Sequence, residues 1–207
     1  MIMIEDTGER IIPENMNITN ELLIEHLTRY HFSVPFVQGR VLDFAAGAGY
    51  GTHIIAKKCK KHIEEIIGVD IDPDVVKYAQ KQYYHPLSSY QIADVTDNDL
   101  SDQLGRFDTI LSFETIEHVE AENQFLENVY QLLKPGGTLI LSTPFGAGRG
   151  KPCGSPFHVH QVTEGEFFEM FQNFSSKTFY YQKGALIEPA ANATQSHYPL
   201  GIVIARK

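Results

Sequence analysis

The stretch Val41-Leu42-Asp43-Phe44-Ala45-Ala46-Gly47-Ala48-Gly49-Tyr50-Gly51 decides how the rest of the chain is read. An apolar run closes on an acid and opens into a glycine-rich turn, the pattern of a strand feeding a helix. Gly47, Gly49 and Gly51 remove side chains where the backbone must turn tightly or admit a ligand. A second apolar run ends in Gly68-Val69-Asp70-Ile71-Asp72. Asp70 falls where a carboxylate meets a ribose diol in a nucleotide-binding βαβ unit. An acid at each strand end makes this pair more specific than a glycine-rich turn alone.

The alternation continues outward. Leu22, Leu23, Leu27 and Tyr30 follow a cap at Thr19 or Asn20, and Pro35 and Gly39 close that helix before the first strand. Helical spacing returns at Val75, Val76, Ala79 and Tyr83 behind Pro73, and again at Phe125, Leu126, Val129, Leu132 and Leu133. Strands alternating with helices predict parallel βαβ units and a sheet covered on both faces. Residues 164–174 predict a helix with Phe167, Phe168, Phe171 and Phe174 on one core-packing face. Thr178-Phe179-Tyr180-Tyr181 and residues 200–205 predict two late strands.

At 207 residues the chain fits one domain with a sizeable core. Its formal charge of −9 disfavours nucleic acid, whose binding draws on phosphate neutralisation by a basic face. The one basic cluster, Lys57-Lys58-Cys59-Lys60-Lys61, suits a helix carboxyl end. Cys59 and Cys153 lack disulfide-framework or metal-ligand spacing. No apolar run reaches the roughly 20 residues of a bilayer span. Glu5, Asp6 and Glu9 leave no room for a secretory signal, so the expected location is cytoplasmic. The expected partner is a small-molecule acceptor, with neither nucleic acid nor membrane, and the chain is expected as a monomer or homodimer.

These motifs together resemble the class I S-adenosylmethionine-dependent methyltransferases, over about residues 38 to 145. Asp43 through Gly51 matches the family's first motif, with Ala45 standing where many members carry its first glycine; a slightly altered turn is expected there. Asp70 matches the second acid, which binds the ribose hydroxyls. Asp94 in Gln91-Ile92-Ala93-Asp94-Val95 matches the acid that accepts from the adenine amino group. Phe107-Asp108-Thr109-Ile110-Leu111-Ser112-Phe113 resembles the fourth strand. Residues 132–142, around Lys134-Pro135-Gly136-Gly137, resemble the following helix end, turn and fifth strand. An NAD-type dehydrogenase would need a G-x-G-x-x-G turn, which this spacing lacks, and has no role for the Lys-Pro-Gly-Gly turn.

The resemblance implies an α/β, Rossmann-like, doubly wound seven-stranded sheet, mostly parallel with an antiparallel last strand. It implies one domain, 1–207: an N-terminal lid and helix (1–38), a cofactor-binding core (39–145), and a substrate-side loop, helix and final strands (146–207). The implied cofactor is S-adenosyl-L-methionine, leaving as S-adenosyl-L-homocysteine. Its site is expected from Tyr30, Asp43, Ala45, Gly47, Gly49, Asp70, Ile71, Asp94, Val95 and Phe113.

Methyl transfer to oxygen or nitrogen needs a positioned acceptor and a group to take its proton. Glu114, Glu117 and His118 fall at i, i+3 and i+4 and share a face if the segment is helical. His158 resembles the histidine of a phenylalanine-histidine element in many small-molecule methyltransferases. It shares a face with His160 if Pro156-Phe157-His158-Val159-His160-Gln161 is extended. His118 and His158 are the expected acceptor-side catalytic residues, with no metal. Thr7-Gly8-Glu9-Arg10-Ile11-Ile12-Pro13 and Arg29-Tyr30 look like lid elements of bacterial methyltransferases of surface polysaccharide and sugar biosynthesis. The function expected is therefore O-methylation of a sugar, sugar nucleotide or related metabolite. Two alternatives stay open. Glu114-x-x-Glu117-His118 with a later histidine resembles the metal-binding set of small-RNA terminal 2′-O-methyltransferases, a metal-assisted reading. A non-catalytic cofactor-binding regulatory protein is the other.

Overall fold

The computed structural model describes residues 10–207. Thr7, Gly8 and Glu9 of the lead element therefore lie outside the described residues. Asn20 caps α1 (Glu21–Ser33) by accepting from the Leu23 amide. The chain then runs β1 (Gly39–Phe44), α2 (Tyr50–Lys58), β2 (Ile63–Asp70), α3 (Pro73–Gln82) and β3 (Ser88–Ile92). α4 (Leu100–Leu104), β4 (Phe107–Phe113), α5 (Glu122–Leu132) and β5 (Leu133–Pro144) complete the parallel part. α6 (Glu164–Glu169), β6 (Ser176–Lys183), β7 (Leu186–Pro189) and β8 (Leu200–Arg206) follow.

The strand order is β3-β2-β1-β4-β5-β8-β6-β7. β3, β2, β1, β4 and β5 pair in parallel, and β8 inserts antiparallel between β5 and β6. The order reverses between β1 and β4, and a ligand cleft opens at the carboxyl ends of the strands there. The described residues hold eight strands rather than seven. The addition is β7, which pairs antiparallel with β6 across a turn where Gly184 takes φ +60°.

Successive strand residues point to opposite faces, so one sheet builds two cores. Leu42, Phe44 and Ile110 pack with Phe125, Val129, Phe167 and Phe171 on one side. Val41 and Leu111 pack with Leu23, Tyr30, Ile55 and Val76 on the other. The helix expected through residue 174 stops at Glu169. Beyond it Gln172 and Phe174 donate to carbonyls three residues back, a tighter turn that brings the chain round to β6 while Phe171 and Phe174 stay buried.

α1 is held from the far end of the sequence. Arg29, 1 % exposed, donates to the Gln182 side chain at 2.9 Å. The Gln182 amide donates in turn to the Glu25 carbonyl at 3.0 Å. Among the described residues no helix is long and apolar enough to cross a membrane.

Candidate active site

A cavity of about 1060 Å³ lies over the carboxyl ends of β1, β2 and β4. Ten of the residues expected at the site line it: Tyr30, Ala45, Gly47, Asp70, Ile71, Asp94, Val95, Phe113, His118 and His158. At one end Asp70 closes β2, and its carboxylate accepts from the Gly47 amide at 2.9 Å and the Asp72 amide at 3.0 Å. Each oxygen keeps a lone pair for a ligand hydroxyl. Burial pushes the Asp70 carboxyl up, against the pull of those two amides. Arg10 pairs with Asp72 at 3.0 Å at this end. Asp94 is oriented by the Thr96 amide and hydroxyl at 2.8 and 2.7 Å.

The glycine turn takes positive φ at Ala45 (+69°), Gly47 (+55°) and Gly49 (+88°). Ala45 therefore takes a left-handed conformation that favours glycine and bears the strain of it.

Asp43 and Gly49 do not line the cavity. Asp43 is 1 % exposed and faces inward, accepting from Thr52 at 2.6 Å and from Tyr30 at 3.1 and 3.2 Å. Burial raises its pKa to about 6. A Cβ on Gly49 would meet the Ala79 Cβ at 2.6 Å, so its bareness serves the packing of α3 under the turn. Both support the glycine turn from behind.

At the other end the chain leaves β4 with Glu114 at φ +52°, and only Ile116–His118 form a single 3-10 turn. Glu114, Glu117 and His118 thus reach one cavity without sharing a helix face. Ser142 donates to Glu114 at 2.8 Å, and Thr143 to Glu117 Oε2 at 3.0 Å. Glu117 is 1 % exposed, and its Oε1 has no hydrogen-bond partner among the described residues. Burial, then the Glu114 charge, pushes the Glu117 carboxyl well up.

His118 Nδ1 lies 3.0 Å from the Phe157 carbonyl. Since a carbonyl only accepts, Nδ1 carries the hydrogen and Nε2 offers a lone pair. The His158 ring stands edge-on to His118, centroids 4.8 Å apart, with Gln161 Nε2 3.0 Å from His158 Nδ1. His160 does not share that face. The segment is not extended, and His160 turns to Glu122 Oε2 at 3.1 Å beside the Arg149–Glu122 ion pair, in a separate groove.

The sequence reading missed His26 and Tyr50, which line the same cavity, with the Tyr50 hydroxyl 3.0 Å from His26 Nδ1. His26 sits four residues before Tyr30 on α1, so helical spacing alone puts both on one face.

Residues 42–141 match a family model described as a methyltransferase domain. The chain is 30% identical over 171 residues to a protein of Mycolicibacterium smegmatis named "Probable S-adenosylmethionine-dependent methyltransferase", covering 80% of this chain and 63% of that one. It is 33% identical over 109 residues to a ubiquinone biosynthesis O-methyltransferase of Xanthomonas euvesicatoria, 50% of this chain and 42% of that one. The chain thus spans less than two thirds of these relatives' length. A SAM-dependent methyltransferase of Archaeoglobus fulgidus shares the fold at TM-score 0.63 and 17% identity, over 91% of this chain and 95% of its own. S-adenosylmethionine is the cofactor this family and fold imply. With the acid-bearing strand ends, the glycine turn and the sheet order in place, the chain carries over residues 42–141 a methyltransferase domain of the class I S-adenosylmethionine-dependent type.

Proposed function

We propose that the chain transfers a methyl group from S-adenosylmethionine to a hydroxyl of a small metabolite, a sugar or a related polyhydroxylated compound. The observation that carries this is the single cavity joining the nucleoside end at Asp70 and Asp94 to the His118–His158 pair. Its volume suits a nucleoside cofactor with a small acceptor beside it. The donor is activated by its sulfonium charge, so the protein's part is to align the acceptor oxygen with the methyl and take its proton. His118 Nε2 is the base in this reading, held by the Phe157 carbonyl; His158 orients the acceptor. Asp70 holds the ribose, Asp94 the adenine, and Tyr30 and Phe113 wall the methionine end.

A metal-assisted reading is favoured by one observation. Ligand atoms of Glu117, His118 and His158 lie within 4.8 Å of one another. One carboxylate and two imidazoles suit a divalent transition ion, and the unpartnered Glu117 Oε1 fits such a role. Those three residues would hold the ion, which would supply Lewis acidity at the acceptor oxygen.

The test is transfer of label from methyl-tritiated S-adenosylmethionine into an extract of the source cells, separated by size and by nuclease and protease sensitivity. Label in a small, enzyme-resistant fraction supports the metabolite reading. Nuclease-sensitive label overturns it in favour of RNA. Loss of transfer on chelation, restored by added Mn²⁺, selects the metal-assisted form.

A further inference from the structure

Beyond the methionine end the cavity wall has a one-sided chemistry. Glu25, Glu114, Glu117 and Glu120 line it. Among the described residues Arg10 is the one arginine or lysine that does, and it is paired with Asp72 at the ribose end. Arg29 lies buried behind the wall with its guanidinium on Gln182, and does not line the cavity. Burial pushes the Glu117 carboxyl well up and favours its neutral form, so the negative charge of this wall falls to Glu25, Glu114 and Glu120.

Among the uncharged donors that line the same cavity is His26 on α1. Burial, reinforced by the Arg29 charge, holds its imidazole well below the usual histidine range. Burial pushes the Tyr50 phenol in the opposite direction, so it keeps its proton. The Tyr50 hydroxyl therefore donates to His26 Nδ1, and Nε2 carries the remaining ring hydrogen. No described residue takes that hydrogen, and the ring lines the cavity.

We infer that the acceptor chamber takes a molecule without negative charge, and that His26 anchors it by donating Nε2–H to one of its oxygens. The acceptor then carries at least two oxygens, one receiving the methyl near His118 and one resting on His26. Glu25, Glu114 and Glu120 weigh against phosphorylated sugars, nucleotide-linked sugars and carboxylic acids, which narrows the class expected from the sequence. The inference rests on the proposed methylation of a small acceptor.

The test passes the tritiated small-molecule product over an anion exchanger at neutral pH and repeats the transfer with His26 variants. The label is expected in the flow-through. His26→Ala is expected to need about tenfold more of the extract fraction for half-maximal rate, the worth of one hydrogen bond. Its plateau rate and its affinity for S-adenosylhomocysteine are expected to stay as in the wild type. His26→Gln, which restores an amide donor near the Nε2 position, is expected to recover most of the loss. Label retained on the exchanger, or an unchanged half-saturation in His26→Ala, overturns the inference and leaves methylation standing. A wild-type protein that binds S-adenosylhomocysteine and labels no small molecule overturns both.

Discussion

The Tyr30 hydroxyl stands 3.1 Å from Oδ1 and 3.2 Å from Oδ2 of Asp43, so a helix before the sheet is hydrogen-bonded to the end of its first strand. The Tyr30 ring also fills the space over Gly51, where any Cβ would overlap it. Tyr30→Phe removes a hydrogen bond to a buried carboxylate and is expected to cost about 1.5–3 kcal/mol near neutral pH. Gly51→Ala is expected to cost about 3 kcal/mol, at the upper end of overpacking effects. Urea unfolding of both checks this; a loss under 0.5 kcal/mol (about the error of such a difference) in either would mean α1 is not latched in this way.

The raised pKa of Asp43 has a definite sign in stability. The folded protein binds this proton up to about pH 6, whereas the unfolded chain releases it near 3.8. The native state therefore holds more protons between those values, and stability declines as pH rises through them. The stability of the wild type minus that of Asp43→Asn should fall by about 3 kcal/mol from pH 3.5 to pH 7. A flat difference over that window contradicts the burial argument.

Asp70→Ala should weaken S-adenosylhomocysteine binding by about 1.5–3 kcal/mol, the worth of a charge-assisted hydrogen bond. It also frees the Gly47 and Asp72 amides, so the loss should exceed that of Asp94→Ala, whose carboxylate holds only its own turn at Thr96. Calorimetry of the two variants ranks them, and equal affinities would contradict the separate roles.

Ala45→Gly should leave stability unchanged or raise it by up to about 1 kcal/mol. Relief of strain at φ +69° is offset in part by the freedom glycine gains when unfolded. A clear loss in thermal unfolding would show that the alanine methyl is needed for packing.

His118→Ala should lower turnover by about 10²–10⁴-fold, the range of general-base catalysis, with cofactor affinity unchanged. His160→Ala should leave turnover near the wild type, since His160 faces Glu122 in the neighbouring groove. Single-turnover label transfer separates them; equal losses would place the histidine effect in the loop's fold and not in proton transfer.

The cavity end that bears Asp70 and Asp94 was legible because its signals are local. Asp43, the glycine turn, Asp70 and Asp94 each sit where an apolar run ends, and such runs mark strands. Even there, spacing could not tell which residues face the ligand. Asp43 and Gly49 lie within two residues of cavity-lining positions and serve from behind. The cavity end that bears Glu114, His118 and His158 was less legible because loops build it. Glu114 takes a left-handed backbone that no helical spacing anticipates, and His160 parts from His158 where an extended reading would join them. β7 escaped notice because four residues ending in proline carry little alternation. His26 was within reach of helical periodicity once Tyr30 was assigned to the site.

Gln182 bridges α1 and β6 across 153 residues of sequence. On the ribosome α1 is made 153 residues ahead of the Gln182 that holds it. Until that strand arrives, the nascent sheet can assemble its parallel core while the wall bearing Glu25, His26 and Tyr30 waits to be seated.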